Sequence, residues 1–480
     1  MLHTDISIVG GGRSGIGEAC HLERKNKRKS YRILEAREEL GGTWSLFKYP
    51  GIRSDSDMYT FGYSFKTWDH SKSFADAPTI LKYLNEAVDE YQIRDKIQYQ
   101  TEVTSVNFDT TKNIWTVNTT SSKTNTIETY TCNFLFICTG YYNYKNGYTP
   151  KYPGIENYKG KVIHPQHWPE DLDYKGKKVV VIGSGATAVT IVPKMADDTA
   201  HITMLQRSPT YVGTFPNKDK VAAFLKKILP KKAAHKIIRF KNILTQVIFF
   251  NVCKWWPNTM RKLIIKGAQK ELGTISAEPH FAPNYKPWDQ RFCVAPDGDL
   301  FKSIKKGKAS IVTDQIETFT ENGIKIKSGE ELKADIIISA TGLKLLAFGG
   351  AKATIDGKEF DISKSLTYRG LMLSGLPNCI FFAGYTNASW TLKSDLTSEY
   401  ANRLLKFMEK KNYTYVIPQI MDDAMETLPL LNLNSSYIHR DKDMFPLQGS
   451  KTPWKLYQNY FRDYKTLRIN KITDKQLQFK

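Results

Sequence analysis

The 480-residue sequence predicts an α/β fold made of two βαβ units of one design, with a helical subdomain inserted into the second. Three observations predict it. A Gly-rich turn follows a short apolar strand at Gly10 and again at Gly183. The strand after each turn ends in a polar residue, Glu35 in the first unit and Arg207 in the second. Between residues 214 and 283 the strand–helix alternation gives way to helical apolar patterns.

In the first unit Ile6, Ile8 and Val9 lead into Gly10-Gly11-Gly12-Arg13-Ser14-Gly15, and a second strand runs from Tyr31 to Glu35. Gly10 permits a tight turn, Gly12 lets backbone approach a pyrophosphate, and Gly15 allows close helix–strand packing. The helix N-terminus then faces the phosphates. Glu35 lies at the strand end, where a carboxylate accepts bonds from ribose hydroxyls. A dinucleotide site follows from the glycines, the preceding strand and Glu35 together.

Gly41-Gly42-Thr43-Trp44 opens a segment that continues through Tyr49-Pro50-Gly51 to Asp55. Its paired glycines suit close passage beside a ligand, and Trp44 offers a flat apolar wall. Val103-Thr104-Ser105-Val106 alternates as a strand, and Phe134 to Ile137 reads as a buried strand closing on Cys138-Thr139-Gly140. The second unit begins with Val179-Val180-Val181-Ile182 and the loop Gly183-Ser184-Gly185-Ala186-Thr187-Ala188. Its next strand ends in Gln206-Arg207. A carboxylate repels a 2′-phosphate and a guanidinium binds one through a fork, so the first site suits FAD and the second NADPH. The joining segment, Tyr158-x-Gly160-x-x-x-His164-x-x-x-Trp168-Pro169, is too rich in packing and hydrogen-bonding residues for a plain linker.

In the insertion, Val221, Phe224, Leu225, Ile228 and Leu229 fall on one helical face, Pro230 ends that helix, and a second pattern runs from Ile237 to Phe250. Trp255-Trp256-Pro257 terminates it. This basic subdomain is expected to wall a substrate pocket or to rest on an anionic membrane. The chain returns to α/β at Asn284, reaches a buried strand, Asp335 to Ser339, before Ala340-Thr341-Gly342, and offers a last strand near Phe381-Phe382. The tail through Lys451-Thr452-Pro453-Trp454 is expected to pack around the active site.

Net charge is +21, and residues 218–271 alone carry fourteen Lys and Arg against two acidic residues. Such a balance admits anionic partners. The six cysteines form no C-x-x-C pair, which points to buried thiols in a reducing cytoplasm and excludes a disulfide reductase. His164 and His167 lack a completing ligand set, so no metal is expected. The first strand begins at once, leaving no room for a leader, and no apolar run nears the ~20 residues of a spanning helix.

The 41–55 segment and the 158–169 spacing, with both nucleotide loops and the Ala-Thr-Gly turn in order, resemble type I Baeyer–Villiger monooxygenases over nearly the whole chain. Residues 49–64, 164–174 and 386–399 resemble the ethionamide-activating branch. Tyr158 replaces the usual Phe, and Gln290 stands where many members have Lys. The resemblance implies two Rossmann-like dinucleotide-binding domains. Their expected parts are 1–144 and 345–480 for FAD, the latter with the C-terminal tail. For NADPH they are 145–213, including the linker, and 284–344; 214–283 is the helical insertion.

It also implies cofactor contacts at Ser14, Thr43, Trp44, Ser45, Leu46, Arg53, Ser54 and Asp55 and at the Val103 backbone. Gly183, Ser184, Gly185, Ala186, Thr187, Ala188, Gln206 and Arg207 are expected around NADPH. Gly160, His164 and Trp168 form the fingerprint. Arg291 is the implied catalytic cation, held by Asp55, in an enzyme that uses NADPH and O2 to convert ketones to esters or lactones through a C4a-peroxyflavin. A permanently charged guanidinium suits a peroxyanion. Sulfides and thioamides are further implied substrates, and no nucleic acid is expected. The alternatives are an S- or N-oxygenating flavin monooxygenase without Baeyer–Villiger activity, and a low-turnover flavoprotein resting on the membrane surface.

Overall fold

A computed structural model describes residues 2–421, 425–431 and 434–480. The Leu2–Val9 strand is an interior strand of the first sheet, with Ile6 and Ile8 fully buried on it. It pairs in parallel with Tyr31–Leu34 on one side and Ile127–Ile137 on the other. The far half of Ile127–Ile137 also pairs in parallel with Cys379–Phe381, so the two ends of the chain build one sheet. Its near half pairs antiparallel with Ile114–Ser121, which pairs in turn with Thr101–Asp109. Helix α1 (Arg13–Lys25) packs between this sheet and a long C-terminal helix, Trp390–Lys411.

The second sheet is wholly parallel, in the order Ala309–Thr313, His201–Gln206, Lys178–Ile182, Ile336–Ser339, Lys161–Ile163. Its centre reads as continuous β-branched runs because both faces are covered. Helix α2 (Ala186–Met195) follows its Gly-rich loop. The chain crosses between the sheets twice. The outgoing Tyr142–Gly147 and the returning Leu343–Leu345 pair antiparallel, so both crossings form one ribbon.

The insertion contains α3 (Lys220–Ile228), α4 (Lys231–Trp255) and α5 (Pro257–Leu272). Helix α4 runs further in both directions than its apolar pattern. Helix α5 was not foreshadowed, because only Ala268 and Leu272 on it are buried and no wide apolar stripe exists. On α4 the Arg239 guanidinium donates to the carbonyls of Tyr59 and Gly62, each at 2.7 Å, and to Asp395 at 3.1 Å. Asn242 and Gln246 donate to Asp57 at 2.7 and 2.9 Å. These bonds fix α4 to the first lobe, while Ala268 and Leu272 of α5 join the core of the second.

Helix α6 (Trp390–Lys411) supplies Asp395. Trp454 of the tail is buried against Tyr368, with ring centroids 5.7 Å apart, away from the large cavity described next.

Candidate active site

A cavity of about 840 Å³ opens where the two sheets' C-terminal edges face each other, large for a small-molecule site. The Gly10 loop forms one end and the N-terminus of α2 the other, so both predicted nucleotide loops reach a single space. Gly10 has φ +105°, and a Cβ there would lie 2.8 Å from the Cys138 carbonyl oxygen. A Cβ on Gly15 would lie 2.0 Å from the Gly10 carbonyl oxygen, so this glycine serves packing and does not line the cavity. Gly12 faces Gly42, whose Cα would be 3.6 Å from an added Cβ. The two backbones form a slot without side chains, as a pyrophosphate requires.

Glu35 is buried at the end of its strand. Its carboxylate accepts from the Gly11 amide at 2.6 Å and the Arg37 amide at 2.9 Å. Burial raises its pKa, and those two amides oppose the rise. A carboxylate has about four acceptor sites, so capacity for ribose hydroxyls remains. Val103 lines the same end.

Thr43, Trp44, Leu46, Arg53, Ser54 and Asp55 all line the cavity. Trp44 meets Phe61 edge-on, with centroids 5.3 Å apart, and Thr43 shares a 3.2 Å hydrogen bond with Tyr144. Ser14 accepts a 3.0 Å bond from the Trp390 indole. Ser54 donates to the Ser56 carbonyl at 2.8 Å. Arg53 is engaged elsewhere as well, by an ion pair with Asp299 of the second lobe at 3.2 Å. Ser45 departs from expectation. It is fully buried behind the wall, where it receives a 2.6 Å bond from Arg37 and holds the loop.

Arg291 and Asp55 face the same space. Both charges act on the Cys293 thiol, which burial and then Asp55 push up to about 12 while Arg291 opposes.

On the second loop, Gly183 has φ +138°, and a Cβ would sit 2.3 Å from the Ala340 carbonyl oxygen. Ala186 and Thr187 line the cavity; Gly183, Ser184, Gly185, Ala188, Gln206 and Arg207 do not. Ala188 is core, and Ser184 donates to the Ser208 carbonyl at 3.0 Å. The Gln206 amide donates at 2.8 Å to both the His280 carbonyl and Thr313. Arg207 is exposed at the strand end.

The 158–169 fingerprint stays out of the cavity and clasps the ribbon between the lobes. His164 Nε2 bonds the Gly342 carbonyl at 3.2 Å, and Nδ1 accepts from the Gln166 amide at 3.2 Å. That pairing assigns the proton to Nε2. Burial lowers the His164 pKa, which favours the neutral ring. The Gln166 side chain donates to the carbonyls of Asn143 and Tyr144, both at 2.9 Å. A Cβ on Gly160 would stand 2.5 Å from the Asp335 carbonyl oxygen. Tyr158 donates to the Ala334 carbonyl at 3.0 Å, and Trp168 packs on the second-lobe core.

Arg13, Arg37 and Trp390 also line the cavity and were not singled out from sequence. Arg37 had one signal, its place two residues beyond Glu35. Trp390 had none beyond lying in residues 386–399.

A family described as pyridine nucleotide-disulphide oxidoreductase matches residues 7–241. The chain is 49% identical over 479 residues to the FAD-containing monooxygenase EthA of Mycobacterium tuberculosis, covering 99% of this chain and 98% of that protein. The chain belongs to the FAD-containing monooxygenases. The probable FAD-binding monooxygenase AlmA of Acinetobacter baylyi is 48% identical, covering 99% and 96%. Among solved structures, an oxidized steroid monooxygenase bound to NADP superposes with a TM-score of 0.73 at 22% identity, covering 87% of this chain and 88% of that one. That likeness supports the fold: two dinucleotide-binding lobes of Rossmann type. The six cysteines of this family member are all buried and unpaired, and no His, Cys, Asp or Glu cluster fit for a metal occurs among the described residues.

Proposed function

We propose that the chain is an FAD-containing, NADPH- and O2-dependent monooxygenase of Baeyer–Villiger type, turning ketones into esters or lactones. The observation that carries this reading is the shared cavity, with both nucleotide loops at its ends and Arg291 in its wall. The residues fit the cofactors: a glycine slot for pyrophosphate, Glu35 for ribose, and the N-terminus of α2 for a second dinucleotide. When bound, FAD accepts hydride from NADPH and activates oxygen.

The chain's own residues do the rest. Arg291 presents a permanent cation where negative charge develops, and Asp55 orients it. Trp44, Phe61 and Trp390 wall the site with apolar surface and exclude water. Arg207 would grip a 2′-phosphate as a fork, selecting NADPH over NADH. Conversion of phenylacetone to an ester, with matching NADPH consumption, tests the reading. Sulfide oxygenation without any ester across a ketone panel would reassign the chain to S-oxygenation.

The insertion supports a second element of this proposal, reversible association with anionic membrane. The outer stripe of α4, Ile237, Phe240, Leu244 and Ile248, is exposed, as are Trp255 at 67% and Trp256 at 59%. Lysines surround them at 231, 232 and 236, and α3 adds exposed Val221 and Phe224. Apolar side chains ringed by lysine match an interface of acyl chains and anionic headgroups. No helix of the described residues is long and apolar enough to cross a membrane.

A further inference from the structure

Arg13 is in an electrostatically unfavourable place. It is the first residue of α1, where the helix dipole disfavours a cation. It is also 93% buried, from its 7% exposure, and burial lowers its pKa. Its Nε donates to Thr391 near the N-terminus of α6, so two positive helix ends converge on it. Neither Nη1 nor Nη2 meets a hydrogen-bond acceptor among the described residues. The guanidinium lies instead over the Phe61 ring, 3.7 Å from its centroid, and 4.9 Å from that of Tyr63.

Nearby charge does not balance it. Asp395 is the carboxylate in Coulombic reach, and its oxygens already serve Arg239 at 3.1 Å, the Ser64 amide at 2.8 Å and His21 at 3.4 Å. Two guanidiniums thus share one carboxylate. Glu18, a buried acid of α1, accepts from Asn402 at 3.0 Å, and burial pushes it up to about 8, so it is largely neutral at pH 7. About one positive charge is left over in the cavity wall itself, beside Phe61, Ser14 and Trp390. A cation in a low-dielectric wall acts through several ångströms without contact.

We propose that Arg13 is a positioning charge that favours the reduced, anionic state of bound FAD and so raises its reduction potential. The proposal rests on the FAD reading above. Two electrons and one proton convert neutral oxidised flavin to a reduced anion, and only that state gains a negative charge for Arg13 to stabilise. A pyrophosphate is charged in both states, so a charge serving it alone would alter affinity and leave the potential unchanged.

The test is a spectroscopic reduction of the holoenzyme by xanthine and xanthine oxidase with a mediator and a reference dye. Flavin content of the wild type is measured first; its absence would sink the FAD assignment and is distinguishable from any result on Arg13. Arg13→Leu and Arg13→Gln are expected to bind oxidised FAD nearly as the wild type does and reduced FAD at least tenfold less tightly. For a two-electron couple that is a fall of about 30 mV. Arg13→Lys is expected to keep the wild-type potential. An unchanged potential in a folded neutral variant overturns the proposal, as does an equal loss of affinity for both redox states. Should both neutral variants fail to fold, Arg13 is a structural residue and the proposal is overturned. A potential that moves as the retained charge stays would also overturn it, and failure of Lys to fold would make Arg13 a structural residue.

Discussion

Arg291 and Arg207 carry the same charge in opposite settings, and their losses are expected to read differently. Arg291 faces the cavity, so Arg291→Ala is expected to keep FAD and its reduction by NADPH while ester formation falls by ~10²–10³ and hydrogen peroxide appears. Stopped-flow reduction and product analysis check it; ester formation near the wild-type rate would show that Arg291 is structural. Arg207 stands exposed outside the cavity. Arg207→Ala is expected to raise KM for NADPH by the loss of a charge-assisted bond worth roughly 1.5–3 kcal/mol, with little change for NADH. Equal losses with both would remove the 2′-phosphate role. At this scale the sequence was most legible where backbone geometry dictates the residue. Gly10, Gly12 and Gly183 could be read because any Cβ would clash or fill a slot. Ser45 could not, because one turn of chain separates a cavity wall from the layer behind it. Arg13 escaped notice because a charge beside a glycine loop looks like a solvated one until burial is known.

Helix α1 carries a titrating group whose effect belongs to the element. Glu18 ionises near 4.5 in the unfolded chain and is pushed up to about 8 in the fold by burial. The native state therefore holds a proton that the unfolded chain has lost. That contribution to stability is fully present below pH 4.5 and is lost as pH rises through 8, at most about 1.4 kcal/mol per unit. Glu18→Gln keeps an acceptor for Asn402, and is expected to flatten the decline in melting temperature between pH 5 and 8. An unchanged decline would place the titration elsewhere. Helix α4 depends on a different device. Removing Arg239 leaves Asp395 buried without its guanidinium, so Arg239→Ala is expected to cost ~3–5 kcal/mol, measurable by chemical unfolding. The apolar stripe of α4 predicted a helix, but not the polar residues Arg239, Asn242 and Gln246 that attach it. Periodicity reports which face is apolar and is silent on buried hydrogen bonds. For the same reason α5, with two buried residues, left no pattern to find.

The whole molecule is an uneven field of charge, with the insertion supplying more than half of the net +21. Cosedimentation with liposomes of anionic lipid is expected at low salt, falling steeply as ionic strength shortens the Debye length toward ~8 Å. Neutral liposomes are expected to bind far less. Absence of binding to anionic liposomes at low salt would leave the exposed aromatic and lysine surface without this role. Both lobes were legible in the sequence because each repeats a short strand–turn–helix grammar. Their mutual attachment was not, since it depends on pairing between residues some 200 positions apart. The ribbon of Tyr142–Gly147 with Leu343–Leu345 has a mechanical consequence. Two separate tethers would let one lobe tumble against the other. Two strands bonded side by side, and clamped at their base by His164 and Gln166, behave as a single torsion bar. Any twist of the second lobe is confined to that bar, and the bonds of α4 and the Arg53–Asp299 pair restrain it further.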